Sequence, residues 1–173
     1  MISTERIAER AEVSPATVYN LIGPREKIWE ALAHGFTDEL EGRLAALGAG
    51  DPREVVRSTV RSFVSDPVVS RRMVRGWEGS GRVLDRSPHT QLRQAMAEAQ
   101  TRGLLHADTD TDALAAVVSA SCAGALHQWV AELIDDDRFL TRSLFALDVA
   151  LAAAAADAHR DRLQAPLRTR EAK

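Results

Sequence analysis

The sequence predicts an all-α protein, and three observations lead to that prediction. Alanine accounts for 29 of the 173 residues and only eight are aromatic, a composition that favours helix over sheet. An N-capping residue followed directly by proline recurs at Asp51-Pro52, Asp66-Pro67 and Ser87-Pro88, which indicates the start of a helix each time. Apolar residues recur at helical spacing, and no segment alternates with the period of two expected of a strand.

The helices can be placed in order from these start signals and from glycine stops. Residues 3–22 are expected to form a pair of short helices, and Pro24 begins a long third helix. The segment 143–158, which belongs to the last predicted helix, contains two charged residues, Asp148 and Asp157. The third helix is expected from Pro24 to Leu47, a fourth begins after Asp51, and a fifth runs from Asp66 to a break at Gly79–Gly81. The remaining three are expected from Ser87 to Gly103, from Asp110 or Asp112 to about Ile134, and from about Arg138 to Leu163.

The last two long helices carry so little charge that they indicate a partner surface. Residues 113–134 contain one charge, Glu132, whereas a solvated helix usually has a polar half. A membrane span is disfavoured because the segment is rich in small residues and is flanked by acids without a basic anchor. We expect a homodimer in which both chains give these helices to a four-helix bundle. A core formed wholly within one chain is the alternative.

Composition also excludes several function classes. The net charge of −3 means that any anion site must be local. Cys122 is the only cysteine, so an intrachain disulfide is impossible and a cytoplasmic setting is expected. The five histidines share no metal-ligand spacing, and no catalytic triad order, phosphate-binding glycine loop or paired carboxylates occur in the required context. We therefore expect no enzyme activity, no metal and no cofactor.

Residues 3–22 have the pattern of a helix-turn-helix. Glu12 and Val13 form the expected turn, Ser14 is placed to cap the second helix, and Pro15 occupies the first turn of that helix. Short polar and aromatic side chains on an exposed helix suit the major groove of DNA. The exposed residues are expected to be Ala16, Thr17, Tyr19 and Asn20, and the buried ones Ile7, Ala8, Ala11, Val13, Val18 and Leu21.

The stretch Ile7-Ala-Glu-Arg-Ala-Glu-Val-Ser-Pro-Ala-Thr-Val-Tyr-Asn-Leu-Ile-Gly-Pro-Arg-Glu-Lys-Ile28 resembles the DNA-binding signature of the TetR family of transcriptional regulators. A weaker likeness lies at Arg102–Asp108, which in that family joins two helices ahead of the dimer bundle. The resemblance implies a dimeric one-component repressor that binds operator DNA and is released by a small molecule. By position it implies that Ser14, Thr17 and Tyr19 face DNA, and that Tyr19 and Arg25 contact phosphate; Thr4 is a further phosphate-binding candidate.

The chain departs from that family pattern in three ways. Glu12 stands where a turn glycine is usual, at a cost of about 1 kcal/mol if its φ angle is positive. Ile22 replaces an aromatic residue. The family has a further helix ahead of this motif, and without it Ile7, Ala11 and Leu21 are expected to be partly solvated. Residues 1–36 also carry a net charge of −1, whereas affinity for DNA depends on neutralising phosphates.

Three regions follow: residues 1–36 as the DNA-binding domain, 37–165 as the ligand-binding and dimerisation domain, and 166–173 as a flexible tail. Soft and aromatic side chains in the second region suggest a pocket for a small apolar ligand. Residues 53–93 hold nine arginines against four acids, which indicates either an anionic ligand or solvated helix faces. The candidate ligand-binding residues are Phe63, Met73, Trp77, Met96, Cys122, Leu126 and Trp129.

Two other functions stay open on the sequence alone. The first is a dimeric helical protein that binds small molecules or partners and has a non-functional DNA-binding domain. The second is a helical-bundle enzyme, which would require converging acids or histidines.

Overall fold

The computed structural model describes residues 4–48, 50–77 and 87–168, and all regular elements in those ranges are helical. The all-α prediction is confirmed for these residues. A single antiparallel bridge joins Leu105 to Ala155. The α-helices are α1 (Thr4–Arg10), α2 (Pro15–Ile22), α3 (Arg25–Ala46), α4 (Pro52–Val64), α5 (Pro67–Trp77), α6 (Ser87–Thr101), α7 (Thr111–Val130), α8 (Asp136–Ala153) and α9 (Arg160–Arg168), and one 3₁₀ turn spans Asp157–His159.

Aspartates begin four of these helices, as their sequence context indicates. The Oδ1 atom of Asp51 accepts from the backbone N–H of Arg53 at 2.9 Å, and Asp66 makes the corresponding bond in α5 at 3.1 Å. Asp110, rather than Asp112, caps α7. Asp135 caps α8. Each carboxylate satisfies a backbone donor that the first turn leaves without an intrahelical partner.

The core lies between α3, α4, α6, α7 and α8. Helix α7 packs on α8 along one face and on α6 along another, while α4 packs on both α6 and α8. Removing these large apolar side chains from water is the main favourable term for folding. The largest fully buried apolar side chains include Leu44, Phe63, Met96, Leu105, Trp129 and Leu147.

Two predicted helix ends are wrong. The last helix does not run unbroken to Leu163, because α8 ends at Ala153 and the chain turns to meet the α6–α7 connection. There the backbone N–H of Ala156 donates to the carbonyl of Leu104 at 3.1 Å, and that of His106 donates to Ala154 at 3.0 Å. Helix α7 ends at Val130 rather than near Ile134, since Glu132 adopts a left-handed φ of 62°.

The predicted tail boundary is also wrong, because Pro166 lies inside α9 rather than after the last ordered element. Residues 169–173 of the predicted tail, and the predicted break at Gly79–Gly81, lie outside the described residues.

The α6–α7 connection is organised by one side chain. The Nε2 amide of Gln100 donates to the carbonyls of His106, Ala107 and Thr109 at 3.0, 3.1 and 2.8 Å. An amide nitrogen carries two protons, so at least one of these bonds is shared. A loop with few backbone bonds of its own is thereby tied to α6.

Helix α3 contains two glycines that packing does not require. A Cβ atom built on Gly35 or Gly42 would meet nothing within 4 Å. Glycine inside a helix costs about 0.5–1 kcal/mol relative to alanine. The stability of α3 therefore depends on its contacts, among them the tilted contact of the Phe36 and Phe63 rings, whose centroids are 4.9 Å apart.

Candidate nucleic-acid interface

Two short helices, α1 and α2, are joined by a tight turn at the position of the predicted helix-turn-helix. Glu12 has a φ angle of 55°, which is the left-handed conformation that a turn glycine would adopt without strain. The backbone N–H of Val13 donates to the carbonyl of Ala8 at 2.9 Å, which closes the C-terminal turn of α1. The positive φ on which the expected cost of about 1 kcal/mol at Glu12 depended is therefore present.

Ser14 caps α2 as predicted. Its Oγ accepts from the backbone N–H of Thr17 at 3.1 Å and lies 2.8 Å from the Thr17 hydroxyl. Pro15 occupies the first helical position, where its missing N–H is not needed. Because both hydroxyls are engaged with each other, they are held in one orientation at the exposed N-terminal end of the helix.

The candidate base-reading residues lie on one open side of α2. Val18 is buried and anchors the other side of the helix, while Ala16 and Asn20 are exposed and Thr17 is half-buried. The Tyr19 side chain is 58% exposed, so its hydroxyl is accessible to a ligand. The remaining predicted contacts lie at helix starts, since Thr4 begins α1 and Arg25 begins α3.

A glycine redirects the chain from α2 into α3. Gly23 has a φ of 100°, and its backbone N–H closes α2 by donating to the carbonyl of Tyr19 at 2.8 Å. A Cβ atom at this position would lie 3.2 Å from Cγ of Lys27. The tight turn places the start of α3 beside the C-terminal end of α2.

The charge around this motif is nearly balanced. The ammonium of Lys27 lies 2.5 Å from the Oε2 atom of Glu30, and both side chains are more than half exposed. Exposed pairs of this kind contribute little to stability. A phosphate oxygen can therefore compete for the ammonium, at the cost of separating it from Glu30.

One apolar side of the motif is solvated, which corrects part of the predicted core. Ala8 and Val18 are buried and Ile7 is half-buried, but Ala11 and Val13 are exposed. Leu21 is 79% exposed. The prediction that Ala11, Val13 and Leu21 belong to the motif's core is wrong for these residues, because no element in the described ranges covers that side. Partial solvation of Ala11 and Leu21 was also expected from the sequence.

A second surface of exposed apolar and small residues lies on α7 and α8, the two helices expected to form a dimer. They run antiparallel, since the thiol of Cys122 lies 4.0 Å from the carbonyl of Ser143 and the indole N–H of Trp129 donates to Asp136 at 2.6 Å. Val117 is 63% exposed and Phe145 is 46% exposed. The exposed residues of this α7/α8 face include Ala113, Ala116, Val117, Ala120, Ser121, Gly124, Phe145, Val149 and Ala153.

Helix α7 is also long and apolar enough to cross a membrane when judged by length and composition alone. Its mean hydropathy is 1.3, and 33% of the tested window is buried inside the chain. One such helix is weak evidence for a membrane protein. Its buried side packs on α6 and α8, and within the described ranges its other side stays exposed.

Five of the seven candidate ligand-binding residues are buried. Phe63, Met96, Leu126 and Trp129 are buried in the central cluster, and Met73 is buried on α5. Cys122 is half-buried, and Trp77 ends α5. A small depression of about 30 Å³ lies elsewhere, between α3 and α4, and is lined by Phe36, Glu39, Leu40, Arg43, Ser62 and Ser65. It holds little more than water.

In the ranges that the structure describes, no side chains are arranged as a recognisable catalytic or metal-binding site. No group of three histidine, cysteine or acidic side chains there is placed to hold a metal ion. Burial raises the pKa of the Cys122 thiol, and its hydrogen bond with Ser143 offsets part of that rise. A cysteine with a raised pKa is a poor nucleophile at neutral pH.

Sequence reasoning missed several polar contacts of the interior. Arg53 pairs with the buried Asp148 across α4 and α8, and the guanidinium of Arg71 lies over the ring of Trp129. A charge inside an otherwise apolar helix was the available signal for Asp148, because a buried carboxylate requires a partner. No comparable signal existed for Arg71.

Comparisons with protein-family models, with curated proteins and with solved structures give no match for this chain.

Proposed function

We propose that this chain is a ligand-responsive transcriptional regulator of the TetR type, which acts in the cytoplasm as a homodimer. In this proposal it represses transcription by binding a palindromic operator and leaves the DNA when a small apolar molecule binds. The observation that carries the proposal is the geometry of α2. One side is anchored by Val18, its N-terminus is capped by Ser14, and Ala16, Tyr19 and Asn20 form an open side.

That geometry suits direct reading of bases. The major groove of B-DNA accepts a helix whose N-terminal residues reach the base edges. Ala16 offers a methyl group to a thymine methyl, and Asn20 can form a bidentate pair with adenine. Tyr19 is suited to a phosphate oxygen, which contributes affinity but no sequence preference.

The α7/α8 face supports a homodimer. Its centre is uncharged, and its bulky Val117, Phe145 and Val149 are interspersed with the small Ala120 and Gly124. Such a surface can interdigitate with a second copy of itself, which a two-fold interface requires. Two copies place two α2 helices at a fixed distance, and a palindromic operator follows from that symmetry.

Selection from a random duplex library followed by binding isotherms tests the proposal. We expect enrichment of a pseudo-palindrome with half-sites about one or more helical turns apart. Tyr19→Phe should weaken binding to all sequences alike, whereas Asn20→Ala should change the preferred base at one position of each half-site. Gln94→Ala, at an exposed position of α6, is the matched control and should change neither. Absence of any enriched sequence contradicts the proposal.

The solvated side of the helix-turn-helix favours a second candidate function. With Leu21 largely exposed and the motif nearly neutral, the DNA-binding domain can be non-functional while the rest of the chain still dimerises and binds a small molecule or a partner. In that case the library selection fails, yet the chain still sediments as a dimer. Successful selection excludes this candidate.

A further inference from the structure

Helix α5 carries three arginines and no acidic residue, and the three differ in what they contact. Arg75 pairs with Glu132 at 3.0 Å. Arg71 is only 25% exposed, and its guanidinium lies over the ring of Trp129. The side chain of Arg72 is exposed, and no carboxylate among the side chains that the structure describes forms an ion pair with it.

Arg72 lies beside the start of α3, the helix that follows the helix-turn-helix. Its guanidinium is 5.8 Å from the ring centre of Trp29, which is within the range of a cation–π contact. Arg25, the predicted phosphate contact, begins α3 and precedes Trp29 by four residues. Residues four apart lie on the same side of a helix, about 6 Å apart along its axis. Arg72 is therefore level with the second turn of α3, on the side of Arg25.

The contact with Trp29 positions the guanidinium without using its hydrogen-bond donors. A cation–π contact acts through the charge over the ring face, so the five N–H groups stay available to an acceptor. Trp29 is half-buried and provides a fixed support. The exposed carboxylate next to it in the chain, that of Glu30, already pairs with Lys27 at 2.5 Å. A positioned guanidinium with open donors is well suited to phosphate oxygens.

The helix-turn-helix itself is short of positive charge. Residues 1–36 carry a net charge of −1, whereas much of the affinity for DNA comes from neutralised phosphates. Positive charge from another part of the chain would make up this deficit. We propose that Arg72 contacts a phosphate of the DNA backbone close to the one held by Arg25, so that the DNA-binding surface extends from the helix-turn-helix onto α5. This inference rests on the proposed function, to which it adds a binding residue.

The test is the salt dependence of binding to a labelled duplex of random sequence, about three helical turns long. Fluorescence anisotropy gives the affinity of the full chain between about 50 and 200 mM sodium chloride. Each neutralised phosphate contributes about −0.9 to the slope of log affinity against log salt. Arg72→Met should therefore flatten the slope by about one unit per protomer, with a roughly tenfold loss of affinity per protomer near 0.1 M salt.

Two further variants separate a phosphate contact from a structural role. Arg72→Lys keeps the charge but changes the contact with Trp29, and it should keep the salt slope. Arg162→Met, at an exposed position of α9, removes an equivalent charge from another surface and should change neither slope nor affinity. If Arg72→Lys flattens the slope as much as Arg72→Met, or if Arg162→Met does so, the assignment is overturned.

Protection from phenylglyoxal, a reagent for arginine, provides a second measurement on the unsubstituted chain. Peptide mass spectrometry should show that bound duplex slows the reaction of Arg72 but not that of Arg162. An unprotected Arg72, or an unchanged slope in Arg72→Met, overturns this inference while the DNA-binding proposal stands. If the unsubstituted chain does not bind the duplex at low salt, both are contradicted.

Discussion

Arg53 and Asp148 form an ion pair in which two guanidinium nitrogens converge on one carboxylate oxygen. The Nε and Nη2 atoms of Arg53 lie 3.0 and 2.8 Å from Oδ1 of Asp148. The Asp148 side chain is 4% exposed and that of Arg53 is 24% exposed. The pair joins the first turn of α4 to the middle of α8, 95 residues later in the chain.

Removing one partner of this pair should destabilise the chain more than removing both. Asp148→Leu leaves a largely buried guanidinium unpaired, and we expect a loss of about 2–4 kcal/mol in the free energy of unfolding. The double variant Arg53→Met, Asp148→Leu should recover at least half of that loss. Chemical denaturation of the two single variants, the double variant and the unsubstituted chain measures the coupling. Additive losses would contradict a direct interaction.

Replacing Glu12 by glycine should stabilise the helix-turn-helix. The left-handed φ at this position costs a non-glycine residue about 1 kcal/mol, and glycine removes that cost. Glu41→Gly in the exposed side of α3 is the control and should instead lose about 0.5–1 kcal/mol. Thermal unfolding of both variants gives the comparison. A destabilised Glu12→Gly would show that the carboxylate has a role other than occupying the turn.

A charge placed in the α7/α8 face should dissociate the proposed dimer. Ala120→Glu buries an unpaired carboxylate if the face is covered, at a cost of several kcal/mol. Ala97→Glu, at an exposed position of α6, is the matched control and should sediment like the unsubstituted chain. Sedimentation velocity at micromolar concentration distinguishes the outcomes. If the unsubstituted chain sediments as a monomer, the dimer proposal is contradicted.

The raised pKa of Cys122 predicts slow alkylation and a specific pH dependence. In the folded chain the thiol should react with iodoacetamide far more slowly than in denaturant. The stabilising effect of the protonated thiol is complete below the pKa of the unfolded chain, and it is lost as the pH rises towards the higher folded pKa. Between pH 7 and the alkaline range, the unsubstituted chain should therefore lose more stability than Cys122→Ala. Equal pH dependence would contradict burial of this group.

Much of the fold could be predicted because its signals are local. Asp51, Asp66 and Asp110 each cap the helix that their sequence context indicates, and a cap depends only on the next three residues. The end of α8 could not be predicted in this way. Its alanine run favours continued helix, whereas the backbone after Ala153 pairs with the distant segment Leu104–His106 instead.

The candidate interface was partly predictable for the same reason. The Ser14 cap and the strained Glu12 turn are local and were anticipated. The exposure of Leu21 could not be predicted from its own helix, because it depends on which other elements cover this residue, and the sequence of a short helix does not indicate which elements those are. The α7/α8 face was predictable only in part. The lack of charge in a helix indicates that some surface covers it, but it does not identify that surface.

The two glycines of α3 have a consequence for the order in which the chain acquires structure during synthesis. A helix weakened at Gly35 and Gly42, with open space at both positions, has low helicity until α4 and α6 pack against it. Helix α2 packs on α3 and α1 packs on α2, so we expect this pair to gain firm support only after residue 101, the end of α6, has been made. The pair α1–α2 is thus synthesised before the helices on which its support depends, and an isolated peptide of Arg25–Ala46 should show little helical circular dichroism.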